Sequence, residues 1–303
     1  EAKHSTKSKL DLQGTIWLEI ILLALMFFLQ DLGSNTNIAI MAALAVLVVI
    51  SIIMFFRAEK RAVDPIMPLT MLKDKEFLAI NLITLLISGV VIGFEFYIPT
   101  WMQGINGTNP SLAGFAVTPS SLMWIVGSFL IGGMLGRWGI KKTYDYMLLV
   151  LVVADLVLIL VPIYTSFWVF CVIAAFNGTA FGAITTASQV RSQVLVPKDD
   201  IGVATSFNTL MKYLGQTMMV SLYGIAFNTM IAHGLSKHPG LNQEMMNKIV
   251  SAENAKTLAA NVVPQLRQVL LGGLKAVYVV SMIVIVVSIV LNQLYRDRKL
   301  KKN

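Results

Sequence analysis

The sequence predicts an all-α integral membrane protein with eight transmembrane helices. Three observations lead there. Of 303 residues, 56% are hydrophobic and 13% charged, against about 25% charged in ordinary soluble domains. Eight apolar stretches come close to or exceed the roughly 20 residues that a helix needs to cross the hydrocarbon core. They are 15–31, 38–56, 78–100, 113–136, 145–163, 167–190, 201–230 and 270–295. These runs are too long and too unalternating for barrel strands. A backbone in lipid must also pair its own amides, which leaves helices.

Taken in order, residues 1–14 are polar and lysine-bearing, a cytoplasmic linker. They open with Glu1 and lack a signal-peptide pattern, so the expectation is a piece of a longer protein. Residues 15–56 form a helix pair joined by a tight turn at 32–37. Residues 57–77, "RAEKRAVDPIMPLTMLKDKEF", are basic and broken by Pro65 and Pro68, a cytoplasmic boundary between units. Residues 78–295 then supply six helices, with an external polar loop at 231–268 expected to hold a short helix before Pro264. Residues 296–303 are a basic cytoplasmic tail.

Lysine and arginine set the sidedness. The alternate connections that include 57–77, the Arg137–Lys142 turn, the Arg191–Lys198 turn and both ends carry 18 of the 24 basic residues. This predicts a multi-pass protein of the cell membrane with both ends of this sequence cytoplasmic. The net charge of +8 does not indicate nucleic acid, because the basic residues sit in short clusters between apolar runs. A lone cysteine, Cys171, builds no disulfide framework. The three histidines fall in loops without metal-ligand spacing, and no phosphate loop or helical H-E-x-x-H motif is present. No metal, cofactor or catalytic residue is therefore expected.

Charges stranded in apolar sequence are the functional candidates. An aspartate at a helix centre costs about 2.5–3.5 kcal/mol to insert, so it needs a reason. Asp155, in "MLLVLVVADLVLILVP", is expected near the midplane. It is either a proton or cation site or a carboxyl neutralised by a structural partner. Lys212 is expected at similar depth, as that partner or as a cation along a wet cleft. Glu95, in "GVVIGFEFYIPTWMQ", is placed higher. There it either attracts a cationic amphipath with help from aromatic faces or reaches interfacial water. Glu19 reads as a carboxylate reaching the cytoplasmic surface.

Asn81, Asn177, Gln189, Asn208 and Gln216 read as interhelical hydrogen-bonding groups. Gly178 and Gly182, and Gly127, Gly132, Gly133 and Gly136, read as close-packing positions. Trp17, Trp101 and Tyr295 read as interfacial anchors.

Four stretches together resemble a known family. The 57–77 segment resembles the cytoplasmic link of fourteen-helix drug:proton antiporters of the major facilitator superfamily, the EmrB/QacA type. "IPTWMQGINGTNPSLAGFAVTPSSL" resembles their next outer loop and helix. "GGMLGRWGIKK" resembles the superfamily's cytoplasmic loop motif: Gly132, Arg137, Gly139, Lys141 and Lys142 match, while Met134 stands for Leu and Gly136 for Asp. "GVATSFNTLMKYLGQTMMVSLYG" resembles the penultimate helix, with Lys212 where Arg is usual.

The resemblance implies two linker helices plus a six-helix C-terminal major-facilitator bundle, with the N-terminal six-helix bundle outside this sequence. It also implies export of small hydrophobic or cationic compounds against proton entry. Exporters of lipids, amino acids or peptides share the fold. A membrane sensor or scaffold is an alternative from another class. A membrane-embedded enzyme built on Glu244, Glu253 and His238 would need converging groups that the spacing does not supply.

Overall fold

The computed structural model describes residues 12–32, 37–61 and 69–295. Among them the regular elements are all helical: α1 (Leu12–Leu32), α2 (Ile38–Glu59), α3 (Leu69–Lys73), α4 (Lys75–Gly104), α5 (Pro110–Phe115), α6 (Thr118–Leu160), α7 (Phe167–Val194), α8 (Ile201–Ser236), α9 (Gln243–Ile249) and α10 (Val263–Leu294), with two short 3-10 turns. Six helical stretches are long and apolar enough to cross a membrane, and Leu12–Phe28 is a shorter apolar helix. One of the six, Pro110–Leu160, makes two passes. The eight predicted crossings are therefore all helical here. Residues 1–11, the turn at 33–36, the 62–68 part of the linker with its two prolines, and the 296–303 tail lie outside the described residues.

The reversal inside α6 turns on Gly139. Its φ of 74° is left-handed and its ψ of 177° non-helical, a combination natural to glycine. The consequence is visible against α7. A side chain at Gly178 would meet the backbone of Ser120, and one at Gly182 the backbone of Trp124, so the first arm of α6 runs parallel to α7. The second arm runs antiparallel, with Tyr144 bonded to Ser188 at 2.5 Å. Gly127 likewise sits against the backbone of Thr179. Small residues here let backbones approach, the usual means of holding helices together in lipid. Gly132, Gly133 and Gly136 do not follow. Nothing lies within 4 Å of where their side chains would be, so the expected close packing is absent there.

α4 and α8 run parallel in constant register. Gly215 faces the backbone of Leu85, Gly89 faces Met219 and Gly93 faces Tyr223. α10 closes the bundle against α4, α6 and α8. The helix pair α1–α2 leans on it mainly through α1, along a groove that includes Leu22, Met26, Leu210 and Leu214. Val46, Val49, Ile50 and Ile53 of α2 are exposed, as a lipid-facing surface requires.

The side of the bundle where α4 begins, the linker side, is tied by polar contacts. Arg191 donates from Nε to Glu76 Oε1 at 2.7 Å and again from its second guanidinium nitrogen, with both side chains buried. Asn208 Nδ2 reaches Asn81 Oδ1 at 2.9 Å and Thr84 Oγ1 at 3.1 Å, while Asn81 Nδ2 donates to Phe77 O at 2.8 Å and Ser192 Oγ at 3.2 Å. Lys75, Glu76 and Phe77 therefore belong to α4, not to the linker that ended at 77 by sequence, because Asp74 caps the helix by accepting from the Glu76 amide at 2.9 Å.

The predicted loop motif lies on this same side. Lys141 donates to the carbonyls of Tyr295 at 2.7 Å and Gln293 at 3.3 Å, placing a cation on the C-terminus of α10. Gly132, Arg137 and Lys142 are exposed.

On the opposite side, α8 continues to Ser236 and α10 starts at Val263, so the 231–268 loop is shorter than its sequence bounds. α9 supplies the expected short helix before Pro264. Trp101 is not an interfacial anchor. It is fully buried, with its ring 5.4 Å from Phe170 and 6.3 Å from Tyr278. Tyr295 is buried too and donates to Asn292 Oδ1 at 3.0 Å.

Candidate functional site

The three sequence-predicted charges separate into two neighbouring groups. Asp155 stands in the second arm of α6, fifteen residues beyond Ile140 and five before Leu160. The arm starts directly after Gly139, earlier than the hydropathy run, so Asp155 lies nearer its far end than the midplane placement expected. That is about 22 Å from the linker-side end at 1.5 Å per residue.

Asp155 is 2% exposed. Among the described residues no cation pairs with it. Ser281 of α10 lies close enough to interact with both the Asp155 carboxyl and the Tyr223 hydroxyl of α8. Tyr278 of α10 also lies within electrostatic reach of Asp155 and Tyr223. Even so, Asp155 Oδ2, Tyr223 Oη and Tyr278 Oη are buried without a hydrogen-bond partner in the protein.

Lys212 belongs to the other group. Its charge acts on Glu95, and its Nζ stands 5.4 Å from the Trp124 ring centroid and 6.0 Å from that of Tyr213. The Asp155–Lys212 pair considered from sequence is not what the structure brings together. Glu95 and Lys212 are each half-buried, on α4 and α8, without a direct ion pair or hydrogen bond of their own. Trp124, on the first arm of α6, gives this group an aromatic floor.

Tyr97 of α4 belongs beside the first group. It is half-buried, two residues beyond Glu95, with its ring 6.3 Å from Tyr223 and 5.5 Å from Phe227.

Tyr223, Tyr278 and Ser281 went unnoticed in the sequence because each reads as an ordinary helix residue. A usable signal exists only for α10: Tyr278 and Ser281, three apart, share one helix face. Of the five amides expected to bond between helices, Asn81 and Asn208 do, whereas neither amide atom of buried Asn177 has a partner. Glu19 is exposed. A separate groove of about 620 Å³ between the second arm of α6 and α7 includes Val153, Val157, Trp168 and Phe176. Its lining is wholly apolar, suited to acyl chains rather than to chemistry.

A bundle of membrane-length helices, buried ionisable groups and a loop motif at an α6 hairpin together describe one architecture. The model of the Major Facilitator Superfamily matches residues 16–220. The chain belongs to this superfamily. It is thus part of a multi-pass membrane transporter family rather than an enzyme.

Among its relatives, the multidrug transporter protein MdtP of Bacillus subtilis is 29% identical over 60% of this chain and 34% of that protein. Multidrug resistance protein 3 of the same organism is 29% identical over 74% and 44%. The quinolone resistance protein NorB of Staphylococcus aureus is 25% identical over 75% and 50%. The chain therefore spans a third to a half of the length of these relatives. A solved bacterial homologue of the human lysosomal transporter Spinster, inward-facing and occupied, superposes with a TM-score of 0.59 at 16% identity, over 93% of this chain and 63% of that one. At that identity the likeness is one of major facilitator fold.

Proposed function

We propose that the chain is the C-terminal part of a proton-coupled efflux transporter that exports small hydrophobic or cationic compounds across the cell membrane by antiport. One observation carries the reading: Asp155 is a carboxyl buried in a membrane bundle with no cation paired to it among the described residues. A bare carboxylate in hydrocarbon is too costly to keep, so the group carries a proton or exchanges one. The relatives named for multidrug and quinolone resistance support the drug side of the reading. Glu95, Lys212 and Trp124 are the groups a cationic aromatic compound would meet. They stand half-exposed beside Tyr97.

Transport in such folds arises from one bundle rocking against another around a central site. The reading therefore needs an N-terminal six-helix bundle outside this sequence, and protons and an exported compound as partners. It places the linker side and both ends of the sequence in the cytoplasm.

The deciding experiment is proton release from everted vesicles holding the full-length protein, on addition of a compound panel. Wild type should release protons with some compounds, and Asp155→Asn should not, at equal expression. Equal release from Asp155→Asn would remove Asp155 from the coupling role. Residues 1–303 expressed alone should confer no resistance. Resistance from them would overturn the two-bundle requirement.

A further inference from the structure

Several buried side-chain atoms lack a hydrogen-bond partner in the protein, and one subset of them comes together. They are Asp155 Oδ2, Tyr223 Oη and Tyr278 Oη: Ser281 interacts with both Asp155 and Tyr223, and Tyr278, three residues before Ser281 on the same helix, lies within reach of both. Asn177 stands at the same level. Tyr144 and Ser188 bond across the antiparallel pair formed by the second arm of α6 and α7. Asp155 lies eleven residues beyond Tyr144, and Asn177 eleven before Ser188. Eleven residues are close to three full turns, so both side chains leave their helices on the faces used by the bonded pair. Four helices thus deliver polar groups to one buried place.

Buried polar groups in folded proteins find either protein or ordered water. An internal water needs two to four polar partners, and this place offers a carboxyl, two phenols, a hydroxyl and an amide. The phenol hydrogens and the amide hydrogens of Asn177 require acceptors. Water supplies them, and a metal cation does not. The titratable groups around Asp155 are Tyr97 on α4, Tyr223 on α8 and Tyr278 on α10. α7 contributes Asn177 and no titratable group at that level. Of these side chains only Tyr97 is partly exposed. Its ring lies against Tyr223 at 6.3 Å.

We propose that Asp155, Asn177, Tyr223, Tyr278 and Ser281 enclose a water-holding chamber through which Asp155 exchanges its proton with the cleft past Tyr97. The inference rests on the coupling role proposed for Asp155 and adds its route. On loading, a hydronium in the water beside Tyr97 gives up one proton: its O–H bond breaks, an O–H bond forms on a carboxylate oxygen of Asp155, and neutral water is left. On release the same two bonds change in reverse, and the proton leaves as hydronium. Tyr223 and Ser281 act as positioning residues that hold the water against the carboxyl.

The test uses the purified full-length protein in proteoliposomes with the cationic dye ethidium. Two modes are read: uptake driven by a pH gradient, and dye exchange without a gradient. Tyr223→Phe keeps the ring that fills the space beside Gly93 and removes only the hydroxyl. It should slow gradient-driven uptake about tenfold, the scale of one lost hydrogen bond, and leave exchange intact. The infrared carboxylic-acid band that Asp155→Asn deletes should shift in Tyr223→Phe. Ser281→Ala should behave alike, and it decides the matter should Tyr223→Phe fail to fold.

Unchanged driven uptake and an unshifted band in both variants, with Asp155→Asn still defective, would overturn the chamber and leave the role of Asp155 standing. Undiminished driven uptake in Asp155→Asn would sink the coupling role itself. Uptake driven by a sodium gradient at fixed pH would overturn the proton as occupant.

Discussion

The same six-helix bundle carries two buried polar regions, treated in opposite ways. On the linker side, Glu76, Arg191, Asn81, Asn208, Thr84 and Ser192 bond to one another, and none leaves a buried side-chain atom unpartnered. Some 20 Å further along the helices, Asp155, Asn177, Tyr223 and Tyr278 leave theirs without protein partners. Satisfied polar networks rigidify a core, and unsatisfied ones cost stability. The difference separates a clamp, which can be fixed once during folding, from a place that must accept something during the working cycle.

Substitutions can break or sharpen this contrast. The largest effect is expected for Glu76→Ala, which takes the Glu76 carboxylate away from the buried Arg191 guanidinium. Removing one partner of a buried pair costs about 3–5 kcal/mol. The full-length protein should lose most of its folded yield in detergent, as judged by size-exclusion profile. Asn208→Ala removes two buried hydrogen bonds and should lower the thermal unfolding midpoint, at a cost of about 1–3 kcal/mol.

Lys141→Ala takes the cation from the C-terminus of α10 and should cost about 1 kcal/mol in the same measurement. Asp155→Asn should be close to neutral, because among the described residues no cation pairs with the carboxyl that it replaces, and the amide keeps a polar group for Ser281. A loss as large as that of Glu76→Ala would erase the distinction between the two regions.

The smallest effect is on α9, where Lys248 donates to Glu244 at 2.7 Å. That hydrogen bond, with the charge of Lys248, holds the Glu244 carboxyl below its ordinary range. A depressed carboxyl contributes stability that is present above the unfolded value and lost as pH falls through the folded one. The pair is exposed, so Glu244→Gln should lower the unfolding midpoint only marginally at neutral pH, and that small difference from wild type should vanish in acid.

Much of the architecture was legible because lipid imposes length and apolarity on every crossing, so the eight runs and their turns stood out from their neighbours. Gly127, Gly178 and Gly182 were readable as packing positions, since a helix face of small residues has few other uses. Gly132, Gly133 and Gly136 carried the same sign, yet within this chain they face open space. Hydropathy also hid the clamp. Glu76 and Arg191 sit where basic loops were expected, and a charge at a helix end looks solvated until its partner 115 positions away is seen. Asp155 was conspicuous because one carboxylate interrupts an apolar run, while the phenols around it resemble any membrane-helix aromatic. Which cation faced which acid depended on helix neighbours, so sequence depth left Lys212 open between a partner for Asp155 and a cation along a cleft.

The elbow at Gly139 has a practical corollary for anyone labelling or splitting this protein. Its two arms are joined by a single left-handed residue, with Lys141 and Asp145 already engaged by the end of α10. An inserted tag or cysteine pair there has no slack to consume, whereas the stretch after Ser236 can absorb added length. Probes meant to report on the bundle as one body belong at the elbow's exposed neighbours, Arg137 and Lys142, attached by substitution alone.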